Sequence, residues 1–274
     1  MKELNEKIKQ IIREASKIMT SAPRGCPEEL IHQKGGTFNF VTEYDVAVQR
    51  FLEERFLELI PEAKFLAEEE GEDARTIGGG YTFIIDPIDG TSNFIHGLGE
   101  SGISVALLKD GETVFGAVYL PFADEMFAAE KGGGAFLNGK QIHVSGLPME
   151  KALVLFGTSP YMRDRLCGAT LDLMRGLFMN SVDVRRFGAA SADLCYVACG
   201  RAAAFCEMSL SPWDHAAGDI IVREAGGSVM QFDGSDVILE RNCPVIATNA
   251  AAKDKVLEIC GEIAKKYGIG KQRD

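Results

Sequence analysis

The sequence predicts an α+β / α/β protein of two lobes packed as one unit, and three observations carry that prediction. Two helical patterns open the chain, a series of alternating apolar runs separated by hairpin signals follows, and strand and helix patterns then alternate to the end. Leu4, Ile8, Ile11, Ile12, Ala15, Ile18 and Met19 recur on one face with charged residues between them, so residues 3–19 read as an amphipathic helix over a core. Pro23, Gly25 and Pro27 break the chain, and Lys34-Gly35-Gly36-Thr37 reads as a mobile turn. Thr42 with Asp45 has the form of a capping box. It opens a second helix through Val46, Val48, Phe51, Leu52, Phe56 and Ile60, which Pro61 ends. Residues 63–67 form a short strand that delivers Glu68, Glu69 and Glu70, and Gly71 and Gly78-Gly79-Gly80 mark the loop after it.

Tyr81-Thr82-Phe83-Ile84-Ile85 is apolar, β-branched and too short for a helix, so it reads as a buried strand from whose end Asp86 and Asp89 emerge. Runs at 102–108, 113–120, 126–129 and 141–144 are separated by Lys109-Asp110-Gly111, Gly132-Gly133-Gly134 and Asn138-Gly139, the signals of an antiparallel meander. The first lobe is taken as residues 1–147 and the second as 148–274, with the boundary at Ser145-Gly146-Leu147-Pro148. In the second, strands at 152–156, 182–186 and 202–208 alternate with helices at 163–177 and 189–199. A helix at 216–224 closed by Gly226-Gly227, strands near 228–232 and 244–247, and a helix over 251–266 complete it.

The chain has 274 residues, 46% of them hydrophobic and 25% charged, which is long enough for a large core and ordinary for a soluble globular protein. A net charge of −11 argues against a nucleic-acid partner held by general electrostatics, and it repels anionic substrates unless cations reverse the field locally. The first residues mix charges where a secretory signal carries an apolar core, and no apolar run approaches a membrane span, so no membrane association and a cytoplasmic location are expected. Seven cysteines without a C-x-x-C pair read as reduced thiols rather than disulfides or zinc ligands. His32, His96, His143 and His215 show no ligand pairing.

The chemistry centres on Asp86-Pro87-Ile88-Asp89-Gly90-Thr91-Ser92-Asn93-Phe94. Pro87 fixes its own backbone and biases Asp86 toward an extended conformation, Gly90 permits a close turn, and Thr91 and Ser92 are expected to cap a following helix. Two carboxylates above unpaired backbone amides would repel a phosphate that the amides attract. A hard divalent cation between them reconciles the two, which points to a Mg²⁺-dependent phosphate site.

Residues 83–96 (FIIDPIDGTSNFIH) resemble the first signature of the inositol monophosphatase family, and residues 213–227 (WDHAAGDIIVREAGG) resemble its second, in the family's order. The resemblance covers nearly the whole chain. It implies a layered α-β-α-β-α sandwich of the sugar phosphatase type, an inositol-1(or 4)-monophosphatase-type phosphomonoesterase, a small-molecule phosphate monoester as substrate, lithium sensitivity and a homodimer. It also implies two Mg²⁺ ions, one held by Glu68, Asp86 and the Ile88 carbonyl and the other by Asp86, Asp89 and Asp214, with Glu69 behind them. In this scheme Glu68 and Thr91 position a water nucleophile, and the Gly90 and Thr91 amides hold phosphate oxygens. Gly188, Ala189, Ala190 and Glu207 match polyol-contacting positions, with Asp214 beside them.

Lys34 matches the lysine of the family's flexible loop, where a third metal binds, whereas Asn39 stands in place of the usual aspartate. Arg185 and Arg186 read either as a second phosphate site or as ordinary surface residues. The alternatives are fructose-1,6-bisphosphatase or another phosphatase of the family, histidinol phosphate among its substrates, or a non-catalytic regulatory protein that keeps the scaffold.

Overall fold

The computed structural model describes residues 1–23, 25–34, 39–69 and 77–270. The expected turn at Gly35–Thr37, Glu70 and the loop glycine Gly71 lie outside them. Helix α1 (Lys2–Thr20) is followed by a small hairpin, β1 (Ile31–Gln33) and β2 (Phe40–Thr42), which leads into α2 (Glu43–Leu59). Thr42 and Asp45 close the expected capping box, the Thr42 amide donating to Asp45 at 2.7 Å. Val46, expected among the apolar positions of α2, faces solvent instead.

Strands β3 (Lys64–Ala67), β4 (Tyr81–Asp89), β5 (Gly102–Lys109), β6 (Glu112–Leu120), β7 (Glu125–Glu130), β8 (Gly134–Leu137) and β9 (Lys140–Ile142) form one sheet in sequence order. Only β3 and β4 run parallel; the rest is the expected meander. Asp110-Gly111 and Asn138-Gly139 turn the chain with positive φ at both residues, as two-residue hairpins require. Strand β8 was hidden from the pattern because only Ala135 of its four residues is buried.

The second sheet has the order β11-β10-β12-β14-β13, from β10 (Leu153–Phe156), β11 (Asp183–Arg185), β12 (Ala204–Leu210), β13 (Ser228–Met230) and β14 (Cys243–Thr248). Its helices are α4 (Arg163–Phe178), α5 (Ala190–Ala198), α6 (Pro212–Glu224) and α7 (Lys253–Tyr267), while the short α3 (Thr91–Ile95) belongs to the first half. Helix α6 starts earlier than its apolar periodicity announces, because Pro212 at its first turn costs no backbone hydrogen bond.

Packing follows side-chain alternation. On β4, Phe83 and Ile85 point toward α1 and α2, whereas Ile84 points the other way, into a core shared with α5, α6 and the second sheet. Helices α4 and α7 cover the outer face of the second sheet. The order of layers is therefore helices, sheet, helices, sheet, helices, and the central core draws Ile84 and Val118 from one sheet and Phe205 and Val245 from the other.

A close approach in that middle layer is at Gly116 on β6. A Cβ there would stand 2.5 Å from Ile220 Cγ2 and 2.8 Å from the Ala217 carbonyl oxygen on α6. Backbone cannot yield as a side chain does, so Gly116→Ala should destabilise the protein by about 1–3 kcal/mol. A lowered urea midpoint at unchanged slope is the expected reading.

Candidate active site

Strand β4 continues through Asp86-Pro87-Ile88-Asp89 rather than ending before it. Residues three apart on a regular strand face opposite sides of the sheet. Here Asp86 pairs with Ser104 and Asp89 with Gly102, so one extra residue bulges between them. The bulge returns both carboxylates to one side. Asp214, in the first turn of α6, joins them, each of the three offering an oxygen within 4.8 Å of the others. Glu68, just past β3, interacts with Asp86 through its side chain.

Gly90 ends the bulge with φ +83° and serves as the N-cap of α3, so Thr91 is the first helical residue and neither Thr91 nor Ser92 caps it with a side chain. A Cβ on Gly90 would meet the Glu100 carbonyl at 2.8 Å and Ala189 Cβ at 3.0 Å. Only glycine fits both that conformation and that contact.

Asp89 reaches across to the second sheet's side of the molecule. Its carboxylate accepts the Ala190 amide at 3.2 Å, the Ser191 amide at 2.7 Å and the Ser191 hydroxyl at 2.6 Å. Helix α5 is thus capped by a residue about a hundred positions upstream, and no side chain at its own N-cap, Ala189, does the work. Asp86 accepts the Ile88 amide at 3.1 Å, and Asp214 accepts the Ser211 amide at 2.7 Å.

Burial raises the pKa of all four acids. For Asp86 burial is reinforced by Glu68, Asp89 and Asp214, and for Asp214 by Asp89 and Glu68. Glu68 is pushed up to about 7 by burial, against the pull of the Lys34 ammonium. Asp89 is raised by burial and drawn back by its donors at Ser191, Ala190 and Gly90. Lys34 Nζ lies 2.7 Å from Glu69, 3.7 Å from the Glu68 carboxylate and 2.7 Å from the Glu68 carbonyl, so it neutralises the rim rather than the centre of the cluster. An all-oxygen set of carboxylates whose charge is not balanced locally is the donor chemistry of a hard divalent cation.

The cleft over these acids is lined also by Asn39, Gly157, Thr158, Tyr161, Arg186, Gly188 and Ala190. Glu207, buried at its far end and pushed up to about 7 mainly by that burial, accepts the Ser159 amide at 2.7 Å and hydroxyl at 3.0 Å. Of the two arginines only Arg186 lines the cleft, while Arg185 pairs with Asp183 beside it. The histidines stand apart from the acids' donor set: His32, His96 and His143 are exposed, and the buried His215 is driven down to about 4 by desolvation. All seven cysteines are free, with Cys167 exposed and Cys195, Cys206, Cys243 and Cys260 buried.

Sequence reasoning read Asp45 only as a helix cap. Its second carboxylate oxygen also lies 3.4 Å from the Thr91 hydroxyl, which stands 3.1 Å from the Ile88 carbonyl. Ser159, Ser191 and Tyr161 were missed entirely, since lone hydroxyls in loops and helix starts carry no spacing signal.

The inositol monophosphatase family model matches residues 1–265. The inositol-1-monophosphatase of Rhizobium meliloti (strain 1021) is 37% identical over 218 residues, covering 80% of this chain and 82% of that protein. The Nus factor SuhB of Pseudomonas aeruginosa is 38% identical over 206 residues, 74% of this chain and 76% of that one. Among solved structures, a Thermotoga maritima IMPase superposes with a TM-score of 0.85 at 31% identity, covering 98% of this chain and all of that one (100%).

A carboxyl whose pKa is raised on folding binds its proton more tightly in the folded chain, so its stabilising contribution is present below the unfolded value and lost as pH rises through the folded one. Glu207 and Glu68 set that window at about 4.5 to about 7. With divalent cations chelated, the thermal midpoint should fall across this range, and Glu207→Gln should fall less. A midpoint that stays flat or rises contradicts the assignment.

Proposed function

This chain belongs to the inositol monophosphatase family, and from that premise we propose that it is a Mg²⁺-dependent phosphomonoesterase acting on inositol monophosphate or a related polyol phosphate. The observation that carries the reading is the convergence of Asp86, Asp89 and Asp214, three residues from two distant segments, with Glu68 against Asp86. When bound, two Mg²⁺ ions supply charge neutralisation at the phosphate and lower the pKa of a water.

In this proposal Glu68, Asp86 and the Ile88 carbonyl would hold one cation and Asp86, Asp89 and Asp214 the other. Thr91 donates its hydroxyl proton toward Asp45, which leaves the hydroxyl oxygen to accept from the attacking water and orient it. The Thr91 amide, at the start of α3, donates to a phosphate oxygen, the Gly90 amide is shared between the phosphate and the Asp89 carboxylate, and the charge that spreads over the phosphate oxygens in the transition state meets fixed dipoles. At the other end of the cleft Gly188, Ala190 and Glu207 face the polyol, while Ala189, buried against Gly90, lies behind them. Ser159 holds the Glu207 carboxylate by two donors, so its remaining oxygen is oriented to accept substrate hydroxyls. Asn39 beside the cleft leaves a third cation without one of its family ligands. Li⁺ inhibition and a homodimer follow the same premise.

A second reading, a partner-binding role alongside or instead of catalysis, is favoured by relatives named as Nus factors. It does not need the carboxylate cluster. For location, no helix among the described residues is long and apolar enough to cross a membrane, and a cytoplasmic protein is proposed.

Phosphate release from a panel of inositol, sugar-bisphosphate and histidinol phosphates, with and without Mg²⁺, tests the proposal and ranks the substrates. Asp89→Asn should lower Mg²⁺-dependent turnover by at least ~100-fold while circular dichroism shows the fold retained. An Asp89→Asn enzyme of near-normal rate would remove the two-cation assignment, and a wild-type chain inert toward every ester would leave the partner role.

Glu207→Gln keeps the two Ser159 contacts in shape but weakens acceptance of substrate hydroxyls. On inositol 1-phosphate it should raise KM by ~10-fold with a smaller change in kcat, whereas on p-nitrophenyl phosphate, which has no such hydroxyls, KM should move little.

A further inference from the structure

Tyr161 projects from a short turn at residues 160–162, is 67% exposed, and lines the cleft. Its placement differs from that of the other cleft hydroxyls. Thr91 is engaged with Asp45 and Ile88, and Ser159 with Glu207 and the Ser209 carbonyl. Among the described residues no hydrogen bond occupies the Tyr161 hydroxyl. The cleft that Tyr161 lines is bounded by Asp86, Asp89 and Asp214 at one end and by Glu207 at the other. The Tyr161 hydroxyl is a free donor on the wall of the cleft that joins the two ends.

That space has a chemical identity under the proposed function, on which this inference rests. The phosphoryl group lies at the cation end, the polyol at the Glu207 end, and the atom joining them is the ester oxygen. We infer that Tyr161 donates a hydrogen bond to that ester oxygen and stabilises it as it departs. In the hydrolysis, the water oxygen bonds to phosphorus and the bond from phosphorus to the ester oxygen breaks. The electron pair stays on the alcohol oxygen, and a proton of the water ends on the product alcohol. Tyr161 keeps its own proton throughout. Its hydrogen bond strengthens as negative charge develops on the acceptor.

The turn is set by the substrate pocket itself. Ser159, with φ +42°, precedes Pro160 and is held by the two hydrogen bonds to Glu207. Pro160 then fixes the backbone that presents Tyr161. The carboxylate that faces the polyol therefore also positions the donor over the bond to be broken, and the two recognise the alcohol portion together.

The test compares wild type and Tyr161→Phe, with Mg²⁺, on myo-inositol 1-phosphate and on p-nitrophenyl phosphate. The exposed position leaves the fold unaffected by the loss of one hydroxyl. An alkoxide needs stabilisation when it leaves, whereas nitrophenolate is a weak base and needs little. Tyr161→Phe should lower kcat about 10- to 100-fold on the inositol ester and less than ~3-fold on the nitrophenyl ester. Equal losses on both esters, or no loss on either, overturn the assignment of Tyr161 and leave the phosphatase reading standing. Wild type inert toward both esters ends the two together.

Discussion

Four carboxylates, from Glu68, Asp86, Asp89 and Asp214, are gathered where water screens them poorly, and their mutual repulsion is the constraint on which the rest of the structure depends. Each segment that brings one in must be fixed by something other than the acids themselves. Strand β3 delivers Glu68 beside β4 through parallel pairing, the bulge between β4 and β5 sets Asp86 and Asp89 on one side, and α6 brings in Asp214 with its N-terminal turn. The packing of Ile84, Val118, Ala217 and Ile221 in the shared middle core supplies that fixation.

Several of these acids serve the fold and the site at once. Asp89 ends the first sheet's second strand and caps α5, whose Ala190 lines the cleft. Asp45 gives one oxygen to the start of α2 and turns the other toward Thr91. Glu207 holds the turn at Ser159 while lining the cleft. The arrangement couples placement of the substrate groups to elements on both sides of the cleft, because moving any of these carboxylates breaks a backbone hydrogen bond elsewhere.

The alternation of apolar residues made most of the fold legible. Leu4 to Met19, the Asp-Gly and Asn-Gly hairpins and the strand-helix alternation after residue 150 each report local physics, and each element stands within a few residues of where periodicity puts it. The inositol monophosphatase signatures also brought Asp86, Asp89 and Asp214 forward as a set, and they meet in the cleft. What failed to show was long-range or unpatterned: strand β8, the outward turn of Val46, the second contact of Asp45 and the approach of Tyr161.

The sequence by itself determined which chemistry was at hand, since carboxylates, a Gly-Thr turn and capping residues are written into the chain as residue types at short separations. Whether those groups act on one another was decided only by tertiary structure. Asp86 and Asp89 sit at an odd spacing that a regular strand would send to opposite faces, and a single bulged residue, whose place depends on the register with β5, turns them together. Asp214 and Ser191 join them because the middle layer packs α5 and α6 against the first sheet, and that contact follows from how apolar faces fit across more than a hundred residues of chain rather than from any local pattern.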